Sequence, residues 1–171
     1  MTLIEKPSQL PVAIGEALKS AFPQLRVGNY QDFQGGGDKT GVLITVERNG
    51  PGVRSLEGRK AHALSVSLRV TVTRGSAPFD ACDLASQLMD LALDNRWGLP
   101  PEQCDVPTTI VASPSALPNA ESDYDTWTVS FTQNLYLGPP LFEDPTGNPL
   151  FARTWEVSNI NDPDQYRPLQ E

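Results

Sequence analysis

Histidine and cysteine are scarce in this chain of 171 residues, which contains one histidine and two cysteines. With His62 alone, a metal site that needs two histidines is excluded. A general-base role for His62 would require an acid or a nucleophile as partner, and the spacing indicates none. Cys82 lies in a helical pattern and Cys104 in a proline-flanked loop, and neither has a histidine nearby in the chain to activate it. The spacing allows a disulfide, but we expect two idle, reduced thiols.

Long apolar runs are also absent. No stretch reaches the length of about 18 apolar residues that a membrane-spanning helix needs. Residues 1–7 lack the apolar centre of a signal peptide. We therefore expect a soluble protein that is made in the cytoplasm and has no membrane partner.

Basic residues are in the minority, since 13 lysines and arginines stand against 21 acidic residues and the net charge is -8. This balance speaks against a protein whose main task is to grip the nucleic acid backbone, because phosphate binding depends on lysine and arginine. The same charge suits a channel through which DNA slides without sticking.

A phosphate-binding loop is missing too. Residues 35–41 contain glycines and a Lys-Thr pair, but Asp38 stands where the template requires glycine, and no helix follows. The carboxylates Asp83, Asp90 and Asp94 follow helical spacing and indicate a solvated helix face. No catalytic constellation is assembled, so we predict that the chain is not an enzyme and holds no cofactor or metal.

The most informative segment that is present is the long strand pattern of residues 124–138. Apolar and polar side chains alternate along it, so the strand has one apolar face and one face of threonine, serine and asparagine. A strand that is polar on one side predicts an antiparallel sheet covered on one face only. Trp127 and Phe131 alternate in phase with aliphatic residues, which predicts that both lie in the core and do not form a binding platform. The apolar face comprises Trp127, Val129, Phe131, Leu135 and Leu137.

Four other segments have strand patterns. Segments 25–33 and 41–48 look like paired strands, and segment 61–74 alternates between apolar and polar residues from Leu64 to Thr73. Between them, 49–60 breaks the pattern with Asn-Gly-Pro-Gly and predicts an exposed loop or the tip of a hairpin. The predicted strands are 25–33, 41–48, 61–74, 106–112 and 124–138.

Two segments have helical spacing. In 11–22, Ile14, Leu18 and Phe22 recur at intervals of four residues, and Ser8 is the candidate cap. The second predicted helix, 79–95, follows a proline at its first turn and has one apolar side and one solvated side. The order α-β-β-β-α-β-β predicts an α+β fold, a mostly antiparallel sheet of about five strands with two helices packed on one face. The solvated side of the second helix comprises Asp83, Gln87, Asp90 and Asp94.

The regular patterns end at Gly138, which predicts a domain over 1–138 and an extended proline-rich arm over 139–171. The arm carries six acidic residues against two basic ones, whereas basic residues concentrate around the second and third strands. This separation indicates either head-to-tail contact between copies or solvated charges without partners. The candidate subunit or tube interface comprises Arg48, Arg54, Arg59 and Lys60, and the candidate arm anchors are Phe142, Phe151 and Trp155.

The order of elements and the final strand over 127–138, with its sequence Trp-Thr-Val-Ser-Phe-Thr-Gln-Asn-Leu-Tyr-Leu-Gly, resemble the tail terminator, or tail completion, proteins of tailed bacteriophages and prophages. The resemblance covers residues 8–138 and does not extend to the arm. It implies a structural virion protein of the phage tail or neck, a homo-hexameric ring that caps the tail tube, ends its polymerisation and joins the tail to the head. The implied partners are other copies of the chain, the tail tube protein and a head-tail connector or head-completion protein, with DNA only as passing cargo.

Alternatives from two other classes stay open. One is another neck or minor tail protein, such as a head-closure, connector or baseplate component, and the other is a small enzyme or ligand-binding domain. A ring needs two different complementary surfaces on each subunit. We expect loop 49–60 to face the tube or an adjacent subunit, and the arm to embrace a neighbour or the connector.

Overall fold

The computed structural model describes residues 3–33, 41–73, 80–115, 124–142, 150–152 and 161–168. The chain divides into two compact units, Met1–Pro140 and Leu141–Glu171. The elements of the first unit are helix α1 (Gln9–Ala21), strand β1 (Val27–Gly28), a 3-10 helix (Tyr30–Phe33), β2 (Gly41–Pro51), β3 (Lys60–Thr73), helix α2 (Asp80–Ala92), β4 (Thr108–Pro114) and β5 (Tyr124–Leu137).

The five strands of the first unit form one sheet in the order β1-β2-β3-β5-β4. All neighbours are antiparallel except β1 and β2, which are parallel. At the centre, β3 and β5 pair without interruption from Lys60 opposite Leu137 to Thr73 opposite Tyr124. The predicted α+β fold, with its order of elements, is confirmed.

One face of the sheet forms the core, because apolar side chains occupy every second position of β3 from Leu64 to Val72 and most of those of β5. Both helices add to the same cluster through their inward sides. In α1 these are Leu10, Ile14 and Leu18, and in α2 they are Ala81, Ala85, Leu88 and Ala92. The predicted core strand is confirmed at Val129, Phe131 and Leu135, while Trp127 is half-buried.

The start of α1 differs from the prediction. Ser8 occupies the N-cap position, but its side chain makes no capping hydrogen bond. Instead, the side-chain oxygen of Gln9 accepts hydrogen bonds from the backbone N–H groups of Glu5 and Lys6, at 2.7 and 2.9 Å. The turn before the helix is therefore closed by an amide rather than by a hydroxyl.

The first strand is shorter than predicted, because the chain turns at Asn29. The Asn29 N–H donates to the Asp32 carboxylate at 2.7 Å, and the Asp32 N–H donates to the Asn29 carbonyl at 3.1 Å. These local bonds offer the backbone an alternative to the strand ladder. A 3-10 helix therefore replaces the second half of the predicted strand 25–33.

The second strand is longer than predicted. Asn49, Gly50 and Pro51 continue β2 opposite residues 62–64, after a bulge between Val46 and Arg48. Proline is tolerated here because β1 pairs only with the beginning of β2, so Pro51 need not donate to a second neighbour. Strand β4 lies two residues later than the predicted 106–112.

The second unit contains strands β6 (Leu150–Ala152) and β7 (Tyr166–Pro168), which pair antiparallel, and a 3-10 helix (Pro163–Gln165). The Asp162 side chain accepts the Asp164 N–H at 3.0 Å and caps that helix. The glycines at 35–37, the first-turn Pro78 and the candidate anchor Trp155 all lie outside the described residues. Among the described helices, none is long and apolar enough to cross a membrane.

Candidate interaction surface

The connection between β2 and β3, residues 52–59, is folded by its own hydrogen bonds and is called here the β2–β3 turn. The Gly52 N–H donates to the Ala61 carbonyl at 3.0 Å, and the Gly58 N–H donates to the Ser55 carbonyl at 2.9 Å. Ser55 Oγ accepts the Arg59 N–H at 3.1 Å. Gly58 has φ +78°, in the left-handed region that favours glycine. These contacts give the turn a defined shape.

Arg59 ties this turn to the end of β5. Its side chain is only 8% exposed. Arg59 Nε donates to the Glu57 carboxylate at 2.7 Å, and Nη1 donates to the Gly138 carbonyl at 3.0 Å. The sequence places Arg59 in the candidate interface with Arg48, Arg54 and Lys60, but in the structure its guanidinium binds groups of its own subunit.

The outer side of the turn is apolar. Val53 is 87% exposed and Leu56 is 102% exposed, so neither side chain is sheltered by its own subunit. Two large apolar side chains on one short, internally bonded turn are typical of an interaction site. Because the turn is already ordered, a partner would bind it with little loss of conformational entropy.

Three cations lie within or next to the β2–β3 turn in the sequence. Arg48, Arg54 and Lys60 are all exposed. Arg54 and Lys60 line a shallow cavity of about 410 Å³ together with His62 and Asn49, whose side chains are 2.9 Å apart. Guanidinium, ammonium, imidazole and amide groups around one cavity can accept an anionic group such as a carboxylate.

Behind this surface, the amide of Gln103 holds three chain segments together. Its Nε2 donates to the carbonyls of Ile4 and Tyr136 at 3.0 and 2.9 Å, and its Oε1 accepts the Ile4 N–H at 2.9 Å. The Gly138 N–H in turn donates to the Ile4 carbonyl at 2.9 Å. The acceptor of Arg59 is therefore itself fixed. The sequence contains no periodic signal for Gln103, which lies in a proline-rich connection.

A second buried amide, Gln133, stands at a core position of β5. Its Oε1 accepts Trp97 Nε1–H at 2.9 Å, and its Nε2 donates to the Asp105 carbonyl at 2.7 Å. Nearby, burial raises the pKa of the Cys104 thiol to about 12, and the charge of Asp105 adds to the effect. The thiol is therefore protonated at neutral pH and is a poor nucleophile. Both Cys82 and Cys104 are free thiols.

The face of the sheet opposite the helices is polar and partly open. Arg69 of β3 and Ser130 of β5 are exposed, and Thr128 and Thr132 are half-buried. Ser67 is buried, and its hydroxyl donates to the Glu47 carboxylate at 2.5 Å. On the hydroxyl-bearing face predicted for the long strand, Thr126 is buried and Asn134 is half-buried, so this face is only partly accessible in this subunit. We call it the polar sheet face.

Two of the three candidate arm anchors, Phe142 and Phe151, lie within the described residues. Phe142 is exposed at 66%. Phe151 lies in β6, opposite Arg167. The structure thus brings Arg54 and Lys60 together at one cavity, leaves Arg48 exposed beside it, and turns Arg59 inward. Val53 and Leu56 were missed by the sequence prediction, although both are apolar residues inside a segment that lacks any helix or strand period.

Comparison with known proteins shows no family for this chain. No model of a protein family matches the sequence, and no curated protein matches it. Among solved structures, one aligned protein is 17% identical, with 77% of this chain and 94% of that chain covered and a TM-score of 0.48. At this identity and TM-score, the similarity supports no statement about function.

Proposed function

We propose that this chain is a structural protein of a tailed bacteriophage and acts as its tail terminator. In this role it forms a homo-hexameric ring that caps the tail tube, ends polymerisation and joins the tail to the head-tail connector, while DNA passes through the ring. The observation that carries the proposal is the long strand β5, whose residues 127–137 have the resemblance to that family and whose two faces separate a covered core from the polar sheet face.

The polar sheet face supports a place at the channel. Its side chains are mainly neutral hydroxyls, and its exposed charges include both Arg69 and Glu47. Strong phosphate binding requires clustered lysine and arginine, which this face does not present in the described strands. Together with the net charge of -8, this surface would let DNA slide past without being held.

The β2–β3 turn supports assembly. A ring needs two different complementary surfaces on each subunit, because its contacts run head to tail. The turn supplies one such surface, with an apolar tip and a cationic border. The arm, with Phe142 exposed, is a candidate for embracing a neighbour or the connector.

The test is electron microscopy of particles from a phage whose copy of this gene is deleted, with the gene supplied in trans as the control. A tail terminator predicts overlong tails that carry no heads, and normal tail length on complementation. Tails of normal length that lack heads would instead indicate a head-closure or connector protein, and defective tail tips would indicate a baseplate component. Normal infectious particles would reject a virion role altogether.

A further inference from the structure

The solvent side of α2 carries acidic side chains, whose charge is opposite to that of the cations Arg54 and Lys60. Asp83, Gln87 and Asp90 are exposed and follow one another at helical spacing along this side. Asp94 continues the row just beyond the helix, and Leu93 beside it is 54% exposed. The result is an acidic strip with one apolar residue at its C-terminal end, here called the acidic α2 face.

The two surfaces match in both charge and polarity. The turn presents exposed Val53 and Leu56 close in sequence to Arg54 and Lys60, and the acidic α2 face presents Leu93 beside Asp94. In the described part of the chain, no carboxylate forms an ion pair with Arg54 or Lys60. Exposed ion pairs are individually weak, so the apolar contact would supply affinity and the charges would fix the register.

The turn does not meet the acidic α2 face of its own subunit. Arg59 fastens the turn to Gly138 at the end of β5, and Leu56 is fully exposed there. Helix α2 packs its opposite side on the apolar face of the sheet. A contact between these two surfaces must therefore join two copies.

We propose that the β2–β3 turn of one copy docks on the acidic α2 face of the next, with Leu56 against Leu93 and with Arg54 and Lys60 against Asp83 and Asp90. Because the two surfaces differ, each copy keeps one of each for a further neighbour, which is the head-to-tail contact that a ring requires. This inference rests on the proposed ring and names the subunit interface within it.

The test is a charge exchange, read by sedimentation velocity over a range of concentrations. The turn variant Arg54→Glu/Lys60→Glu and the helix variant Asp83→Lys/Asp90→Lys should each lose self-association. Mixing the two variants should restore association between them, because each turn then meets an α2 face of opposite charge. Glu16→Lys, an exposed reversal on α1, is the matched control and should associate as the wild type does.

A second measurement uses the unaltered chain. Zero-length carbodiimide cross-linking of purified tails should join Lys60 of one copy to Asp83 or Asp90 of another. Cross-links from Lys60 to the arm or to the tube protein overturn the proposal, as does a mixture of the two variants that stays dissociated. Overlong headless tails in the deletion phage without this cross-link would reject the interface and leave the proposed function standing. The same cross-link in the purified protein, together with normal infectious particles from the deletion phage, would support the interface and reject the proposed function.

Discussion

The buried amide network at Gln133 and the β2–β3 turn are both rich in hydrogen bonds, but they use them differently. Around Gln133, the bonds satisfy polar groups that lie inside the core, and in the described residues every buried side-chain nitrogen and oxygen has a partner. In the turn, the bonds hold apolar side chains out of the core. The amide network places polar groups in the core, where apolar groups are usual. The turn places apolar side chains on the surface, where polar groups are usual. The stability of the subunit explains the amide network but does not explain the exposed apolar side chains of the turn.

Of the substitutions in the amide network and in the turn, that of Gln133 should lower the stability of the subunit most. Gln133→Leu leaves the buried Trp97 N–H without its acceptor, and such a group costs about 1–3 kcal/mol. We expect the free energy of unfolding, measured by chemical denaturation, to fall by about 2–3 kcal/mol. The same change at exposed Gln87 is the control and should stay within about 0.5 kcal/mol. Equal effects at the two sites would remove the distinction between the regions.

Replacing Arg59 should have an intermediate effect, because it belongs to the turn and yet is buried. Arg59→Met keeps the length of the side chain but loses the hydrogen bond to the Gly138 carbonyl, and we expect a loss of about 1–2 kcal/mol. The ion pair adds little, since Glu57 is 43% exposed. Arg48→Met is the control, because Arg48 is exposed on β2 and lies outside the turn. Hydrogen exchange should show faster opening of the turn in the Arg59 variant, and unchanged protection would contradict the assigned role.

Replacing Leu56 should leave stability almost unchanged. The side chain is fully exposed, so Leu56→Ser should alter the free energy of unfolding by less than about 0.5 kcal/mol. In contrast, Leu88→Ala in the core should lower it by about 2–5 kcal/mol. Both values are measured by denaturation at low protein concentration. A clear destabilisation by Leu56→Ser would show that the turn serves its own subunit after all.

Much of the fold could be predicted, because its main signals are local. The alternation along β3 and β5 places both strands within one residue of their observed limits. The first strand was predicted too long because the Asn29–Asp32 bonds compete with the ladder, and β2 was predicted too short. At Pro51 the composition indicates a break, whereas pairing with His62 extends the strand. The residue types at 49–51 do not indicate that pairing.

The candidate surface was predictable only in part. Exposed cations in a polar loop are visible in the sequence, and Arg54 and Lys60 are such residues. The inward position of Arg59 depends on a carbonyl 79 residues away, at Gly138. The roles of Gln103 and Gln133 likewise depend on partners that are distant in the chain. Contacts of this kind have no periodic signature in a single sequence.

Gly138 has a mechanical consequence. It is the point at which the chain leaves β5, and its backbone is held at both polar groups, by the Arg59 guanidinium at its carbonyl and by the Ile4 carbonyl at its N–H. A pull on the chain that follows Gly138 is therefore shared between the N-terminal segment and the start of β3 before it strains the long β3–β5 ladder. This arrangement would let the segment after Gly138 serve as a tether under load, with the sheet protected from being unzipped at its end.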